Sequence, residues 1–150
     1  ILLNAGYNTE CTPLSMAIEK NYDIEMIKLL IVDRNVDINT KFNTRMPHSS
    51  HALHFEKTAL SLAIEKNKIE LITFLLSNHN INPNIKLIKH YCNDRHEHIF
   101  DEKTVLSMAV ENENIEMIRL LLSCPNIDPN VKLIIKNKQL CRARYGTTCL

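Results

Sequence analysis

The chain has 150 residues, of which 45% are hydrophobic and 23% are charged, and its formal net charge is +1. This composition excludes intrinsic disorder and collagen, and the balanced charge gives no overall preference for nucleic acid or an anionic membrane. No apolar run approaches the ~18 residues of a membrane span, and two glycines are too few for Gly-rich phosphate loops. Five cysteines without paired short spacings predict reduced thiols and favour a cytoplasmic location.

A segment near the start of the chain recurs twice at a fixed spacing. The three copies are TPLSMAIEKN from Thr12, TALSLAIEKN from Thr58 and TVLSMAVEN from Thr104, so the period is 46 residues. Threonine can cap a helix, and Pro13 stands at the first helical position, where its missing N–H costs nothing. Each copy is therefore predicted to begin with a capped helix.

A second apolar block follows each of these helices. Apolar residues at i, i+3 and i+7, as in Ile69, Ile72 and Leu76, predict a helix that is buried on several sides. The links before the blocks contain Asn21 and Asn67, and asparagine tolerates a left-handed turn. Each unit is thus predicted to be helix, turn, helix, and the units must stack to share a core. The blocks are IEMIKLLI at 24–31, IELITFLL at 69–76 and IEMIRLLL at 115–122.

The three units resemble ankyrin repeats. The family signature Thr-Pro-Leu-His-x-Ala is matched by residues 12–17, 58–63 and 104–109, and the family's second helix is similar to the Ile-Glu-x-Ile-x-x-Leu blocks. The resemblance implies a mainly α fold, an ankyrin-repeat solenoid of stacked helix-turn-helix units joined by long β-hairpin-like finger loops. The match is divergent, because serine replaces the signature histidine. The hydrogen bonds that this histidine makes between repeats are therefore expected to be weaker or different at Ser15, Ser61 and Ser107.

The period also departs from the family, whose repeats span ~33 residues. The excess falls after each second helix, where the family builds a short β-hairpin. Three long fingers, at 40–57, 85–103 and 131–147, are therefore expected to stand side by side. The predicted organisation is the end of a preceding repeat at 1–11, repeats at 12–57, 58–103 and 104–147, and the start of a following repeat at 148–150.

The resemblance implies binding to another protein, without catalysis or a cofactor. Ankyrin repeats receive partners on the concave surface of their hairpin tips and first helices. The matching positions predict partner contacts at Cys11, Glu19, Lys20, Lys57, Glu65, Lys66, Lys103, Glu111 and Asn112. Exposed finger residues are added because Arg and aromatic residues are enriched at interface hot spots. They are Arg45, His51, Tyr91, Arg95, His96, Arg142 and Tyr145.

Alternatives to a plain protein-binding array stay open. The chain could be the targeting region of a larger enzyme, because ankyrin segments are commonly joined to other domains. It would be the non-catalytic part, since it carries no G-x-S-x-G or H-E-x-x-H motif. The fingers could also bind metal, because the second finger holds imidazole and thiol groups that zinc prefers. Their spacing matches no standard zinc framework, so exposed loop residues are the favoured interpretation. The candidate ligands are His90, Cys92, His96 and His98.

The third finger is basic and could contact phosphate. It carries five cations and no acid. Dispersed loop charges are more often a solvated edge, and the whole chain is not basic, so nucleic acid binding is not favoured. The cations are Lys132, Lys136, Lys138, Arg142 and Arg144.

Overall fold

The computed structural model describes residues 11–33, 35–45, 54–92, 97–134 and 137–140. Within these ranges the chain forms three pairs of short helices and five strands. The helices are α1 (Pro13–Glu19), α2 (Ile24–Val32), α3 (Ala59–Glu65), α4 (Ile69–Ser77), α5 (Val105–Glu111) and α6 (Ile115–Leu122). The strands are β1 (Phe42–Arg45), β2 (His54–Lys57), β3 (Leu87–Cys92), β4 (Glu97–Lys103) and β5 (Asn137–Leu140).

Each first helix begins at a Thr–Ser capping box. The N–H of Ser61 donates to the Thr58 hydroxyl at 3.3 Å, and the N–H of Thr58 donates to the Ser61 hydroxyl at 2.8 Å. The Ser61 hydroxyl also donates to the Thr58 carbonyl at 3.0 Å. The same box opens α1 and α5. The serine that replaces the signature histidine therefore uses its hydroxyl inside its own helix cap.

A left-handed residue follows the C-cap of the first helix in each repeat. Asn21 has φ 57° and Asn67 has φ 50°, as the sequence predicts. In the third repeat the left-handed residue is Glu113, with φ 52°, while Asn112 has φ −84°. The turn is closed by a backbone bond from the next residue, as where the N–H of Lys68 donates to the Ala63 carbonyl of α3. The fold sets this position, so a glutamate adopts the conformation although a non-glycine residue there costs about 1–2 kcal/mol.

The helix pairs stack in chain order and share one core. Helix α3 packs between α1 and α5, and each second helix packs against the first helix of its own repeat. Among the described helices, those of the middle repeat are the most completely buried, because a described repeat packs on each side of it. Its helices bury Leu60, Leu62, Ile64, Leu71, Ile72 and Leu75.

An asparagine just before each of the first two fingers bonds one repeat to the next. The side-chain amide of Asn84 donates to the carbonyl of Asn126 at 2.8 Å, and its oxygen accepts the N–H of Asp128 at 2.7 Å. Asn39 makes the equivalent pair of bonds to the second repeat. These bonds join loops that follow successive second helices, so they hold the spacing of the stack.

The fingers form one antiparallel sheet with the strand order β1-β2-β3-β4-β5. Strands β3 and β4 make the long hairpin of the second finger, and β2 and β3 join the first finger to the second with His54 opposite His90. Strand β5 joins the third finger to β4 with Asn137 opposite Phe100. The fingers that the sequence predicts as neighbours are therefore hydrogen-bonded to one another.

Candidate partner-binding site

One face of the finger sheet turns toward the first helices, and we call it the inner face. Alternation along the strands puts every second residue on it. Lys57 shows that this face points toward the first helices, because the Lys57 ammonium lies 2.6 Å from the Glu65 carboxylate of α3. Lys103 makes the same ion pair with Glu111 of α5. The inner face carries Phe55, Lys57, Leu87, Lys89, Tyr91 and Lys103.

A groove lies between the inner face and the helices α3 and α5, and we call it the finger groove. It encloses a cavity of about 190 Å³. Buried Leu87 comes from the sheet, while Ser61 and Met108 come from the first helices. The rim is charged, so the groove joins an apolar floor to a polar edge. The rim residues are Glu65, Lys89, Lys103, Glu111 and Asn112.

Lys89 holds its charge over two aromatic rings at this groove. Its ammonium lies 5.1 Å from the centre of the Phe55 ring and 5.6 Å from the centre of the Tyr91 ring. Both distances fall within the range of a cation–π interaction. Phe55 belongs to the first finger and Lys89 to the second, and the register of β2 against β3 brings them together. The wall of the groove is therefore shared between two fingers.

Most charges around the groove are paired within the chain. Besides the lysine–glutamate pairs of Lys57 and Lys103, Lys66 of the second repeat lies 3.7 Å from Glu19 of the first. Each pair joins two different elements, a strand to a helix or one repeat to the next. Such exposed pairs contribute little to stability. They do neutralise the surface, so the groove presents no strong excess of either charge.

The stacked helix pairs and the repeated sequence together point to one protein family. A protein-family model that describes ankyrin repeats in three copies matches residues 1–87 and again residues 47–133. The chain belongs to the ankyrin repeat family. Ankyrin repeats are generally protein–protein interaction modules and are typically non-catalytic. No curated protein and no solved structure matches the chain.

In this ankyrin repeat protein, the predicted contact residues divide into two groups. Most of the described ones lie at the finger bases and first-helix ends, where Cys11, Lys20 and Asn112 are exposed. Tyr91 is half-buried and lies near the far end of β3. Arg45 ends β1, in register with His54. The others lie outside the described residues, and they are His51, Arg95, His96, Arg142 and Tyr145. The sequence did not single out Phe55 or Lys89, because only the sheet register between fingers reveals that they meet.

The ankyrin fingers also bring histidines together on the opposite side of the sheet. His90 Nε2 lies 2.7 Å from His98 Nδ1, so two of the four predicted zinc ligands are in contact. Cys92 stands opposite His98 in the strand register, and His96 lies outside the described residues. Over the described part of the chain, no three His, Cys, Asp or Glu side chains are placed to hold a metal ion.

The helices of these repeats are short. The longest of those described have nine residues, and none of them combines the length and apolar character needed to cross a membrane.

Proposed function

We propose that this ankyrin repeat protein binds a protein partner in the finger groove. The family supports the general role, since its members are interaction modules. The observation that carries the proposal is the groove itself, with Leu87 and Met108 at its floor and the Lys89 ammonium held over the Phe55 ring. Apolar floors with a few oriented polar groups are typical of binding sites.

The groove favours an extended partner segment that inserts an apolar side chain. Its cavity of about 190 Å³ has room for a side chain of moderate size. The Lys103–Glu111 pair at the rim is already neutralised, so a strongly charged partner gains little from it. Lys89 can donate a hydrogen bond to a carbonyl or carboxylate of the inserted segment, and its ring contacts hold the ammonium in place for this.

The test compares partner capture by three forms of the chain. The groove variant combines Phe55→Ala with Lys89→Glu, which removes the ring and reverses the charge. The matched control combines Glu116→Lys with Arg119→Glu on α6, where both residues are exposed and neither lines the groove. A partner is isolated from the source cells on the unaltered chain, and its affinity for all three purified forms is then measured.

Support requires a partner that binds the unaltered chain and the α6 control equally and the groove variant at least about tenfold more weakly, a loss of about 1.4 kcal/mol. Equal binding to all three forms would contradict the proposal, as would a loss confined to the α6 control. The circular dichroism of each form shows whether its helices are intact, so loss of folding is not mistaken for loss of binding.

A further inference from the structure

The first repeat exposes apolar residues at positions that the middle repeat buries. Met16 on α1 is 45% exposed, whereas Leu62, at the same position of α3, is 1% exposed. Met26 on α2 is also half-exposed, while its counterpart Leu71 on α4 is buried. In the middle repeat this surface is covered by the first repeat, but no described repeat covers it in the first. We call the surface formed by Met16, Met26 and Leu29 the leading end.

The third repeat exposes the opposite surface. Val110 on α5 is 56% exposed, whereas Ile18 and Ile64, at the same position of α1 and α3, are buried. Leu122 on α6 is exposed, while its counterpart Ile31 on α2 is buried. Ile18 and Ile31 lie on the side of the first repeat that the second repeat covers. We call the surface formed by Val110 and Leu122 the trailing end.

The two ends are the two halves of one junction. The leading end has the same position in its repeat as the surface that the second repeat places on the first. The trailing end has the same position as the surface that receives it. The sequences agree as well, since TPLSMAIEKN at the leading end differs from the middle copy TALSLAIEKN at only two positions. Exposed apolar surface of this kind marks interaction sites in soluble proteins.

The asparagine bridge between repeats is also present as two separate halves. Asn130 is the counterpart of Asn84, and it holds the same turn, because its N–H donates to Asp128 Oδ1 at 2.9 Å as the N–H of Asn84 does to the residue two before it. Its side chain is exposed and bonds to nothing in the described part of the chain. At the leading end, Asn35 and Asp37 are the exposed counterparts of the two residues that Asn84 contacts.

The charges at the two ends are complementary. Between the first two repeats, the ammonium of Lys66 lies 3.7 Å from the Glu19 carboxylate. The counterparts of this pair are Lys20 at the leading end and Glu111 at the trailing end, and both are exposed. Lys103 contacts Glu111 through Oε2, which leaves Oε1 for a second cation. Such a pair adds little affinity, but it favours contact between unlike ends over contact between like ends.

We propose that a second copy of this chain docks its leading end on the trailing end of the first. The junction between the first and second repeats is then repeated between molecules. A second copy is the occupant because it carries the matching apolar surface, the matching half of the asparagine bridge and the opposite charge. This goes beyond partner binding in the finger groove, since it uses the ends of the stack. Each docked copy presents a new free end, so the association is head to tail and open-ended.

The experiment measures the average molar mass of the 150-residue chain by light scattering, between about 5 μM and about 500 μM. A reductant is present, so that thiols do not cross-link the copies. Met26→Glu places a charge in the leading end, and Val110→Glu places one in the trailing end. The matched control is Ile69→Glu, the same kind of change at an exposed position of the middle repeat.

The unaltered chain and the Ile69→Glu control are expected to increase in mass with concentration, past the mass of a dimer. Each end variant alone should associate at least about tenfold more weakly, because every junction then contains one altered end. An equimolar mixture of Met26→Glu and Val110→Glu should form dimers and nothing larger. In that mixture, the intact trailing end of the first variant meets the intact leading end of the second.

Several results would overturn the proposal. An unaltered chain that stays monomeric has no such contact, and one that stops at a dimer joins two like ends. Undiminished association of either end variant alone, or a mixture no heavier than its components, would also contradict a head-to-tail junction. Circular dichroism of each variant shows whether its helices are intact.

A second variant tests the junction without a change in the helices. Asn130→Ala removes the trailing half of the asparagine bridge, and it should weaken self-association on the order of tenfold. Its urea unfolding at low concentration should match that of the unaltered chain, because the Asn130 side chain bonds to nothing within the described residues of its own copy. Undiminished self-association would overturn the proposal, as would a loss of stability at low concentration equal to that of Asn84→Ala.

Discussion

Glu102 and Ile134 fasten the second finger to the third through both backbone and side chain. The N–H of Glu102 donates to the Ile134 carbonyl at 2.8 Å, and the N–H of Ile134 donates to Glu102 Oε2 at 3.0 Å. One repeat earlier, Glu56 Oε2 accepts the N–H of Ile88 at 2.9 Å. One glutamate per finger therefore holds the next finger, and the fingers are joined in series.

Replacing Glu102 with glutamine is expected to remove a pH-dependent part of the stability. The hydrogen bond from Lys86 and then that from the Ile134 N–H lower the pKa of the Glu102 carboxyl from 4.5. A carboxyl with a lowered pKa in the folded state stabilises the fold above 4.5, and this contribution disappears as pH falls through the folded-state value. Urea unfolding between pH 7 and pH 3 should therefore show a flatter dependence for Glu102→Gln.

The control for this variant is Glu116→Gln on α6, which removes one negative charge from an exposed site away from the fingers. Its stability should keep the pH dependence of the unaltered chain. If Glu102→Gln follows the same curve as this control, the carboxylate contributes nothing beyond its charge.

Asn84 is expected to hold the second and third repeats together. Replacing it with alanine removes two hydrogen bonds, to the Asn126 carbonyl and from the Asp128 N–H, and should lower the free energy of unfolding by about 1–2 kcal/mol. Asn84→Asp keeps the acceptor but loses the donor, so its effect should be intermediate. Asn82→Ala removes a single bond inside the same loop and serves as control. A loss as large for Asn82→Ala would contradict a specific bond between repeats.

The helices could be predicted from the sequence because their signals are local. Thr58 and Ser61 stand three residues apart, and the cap they form depends on little else. The apolar spacing of Ile69, Ile72 and Leu76 likewise predicts a helix without knowledge of its neighbours. The left-handed turn was predicted for asparagine, yet Glu113 adopts it in the third repeat, because the repeat fixes the position and the residue type only changes its cost.

The fingers and the groove depend on distant residues, which limits what the sequence can predict. Their existence follows from the long period, but the register that places Phe55 beside Lys89 is set between two separate hairpins. Lys57 and Glu65 were both predicted as partner contacts, and their pairing with each other follows only from the angle between finger and helix. Pattern and spacing within one repeat carry no information about that angle.

Ser61, at the position of the signature histidine, is expected to stabilise the fold through the capping box that it forms with Thr58. Ser61 is completely buried, and Ser61→Ala leaves the Thr58 N–H without its acceptor. The free energy of unfolding should fall by about 1–2 kcal/mol. Ser77→Ala, at an exposed position where the hydroxyl only donates to a carbonyl of its own helix, provides the control and should change stability little. Similar losses in both serine variants would show that the box contributes no more than any helix hydroxyl.

The loss of unfolding free energy caused by a substitution in a second helix should depend on which repeat the residue belongs to. Leu71 and Met26 occupy equivalent positions in the second and first repeats, yet Leu71 is 0% exposed and Met26 is 49% exposed. Leu71→Ala should lower the free energy of unfolding by about 2–5 kcal/mol, because it leaves a cavity between two repeats. Met26→Ala removes a side chain that is half in water, and should cost less than about 1 kcal/mol. Denaturant unfolding measures both variants, and equal costs would mean that the repeats do not share a core at these positions.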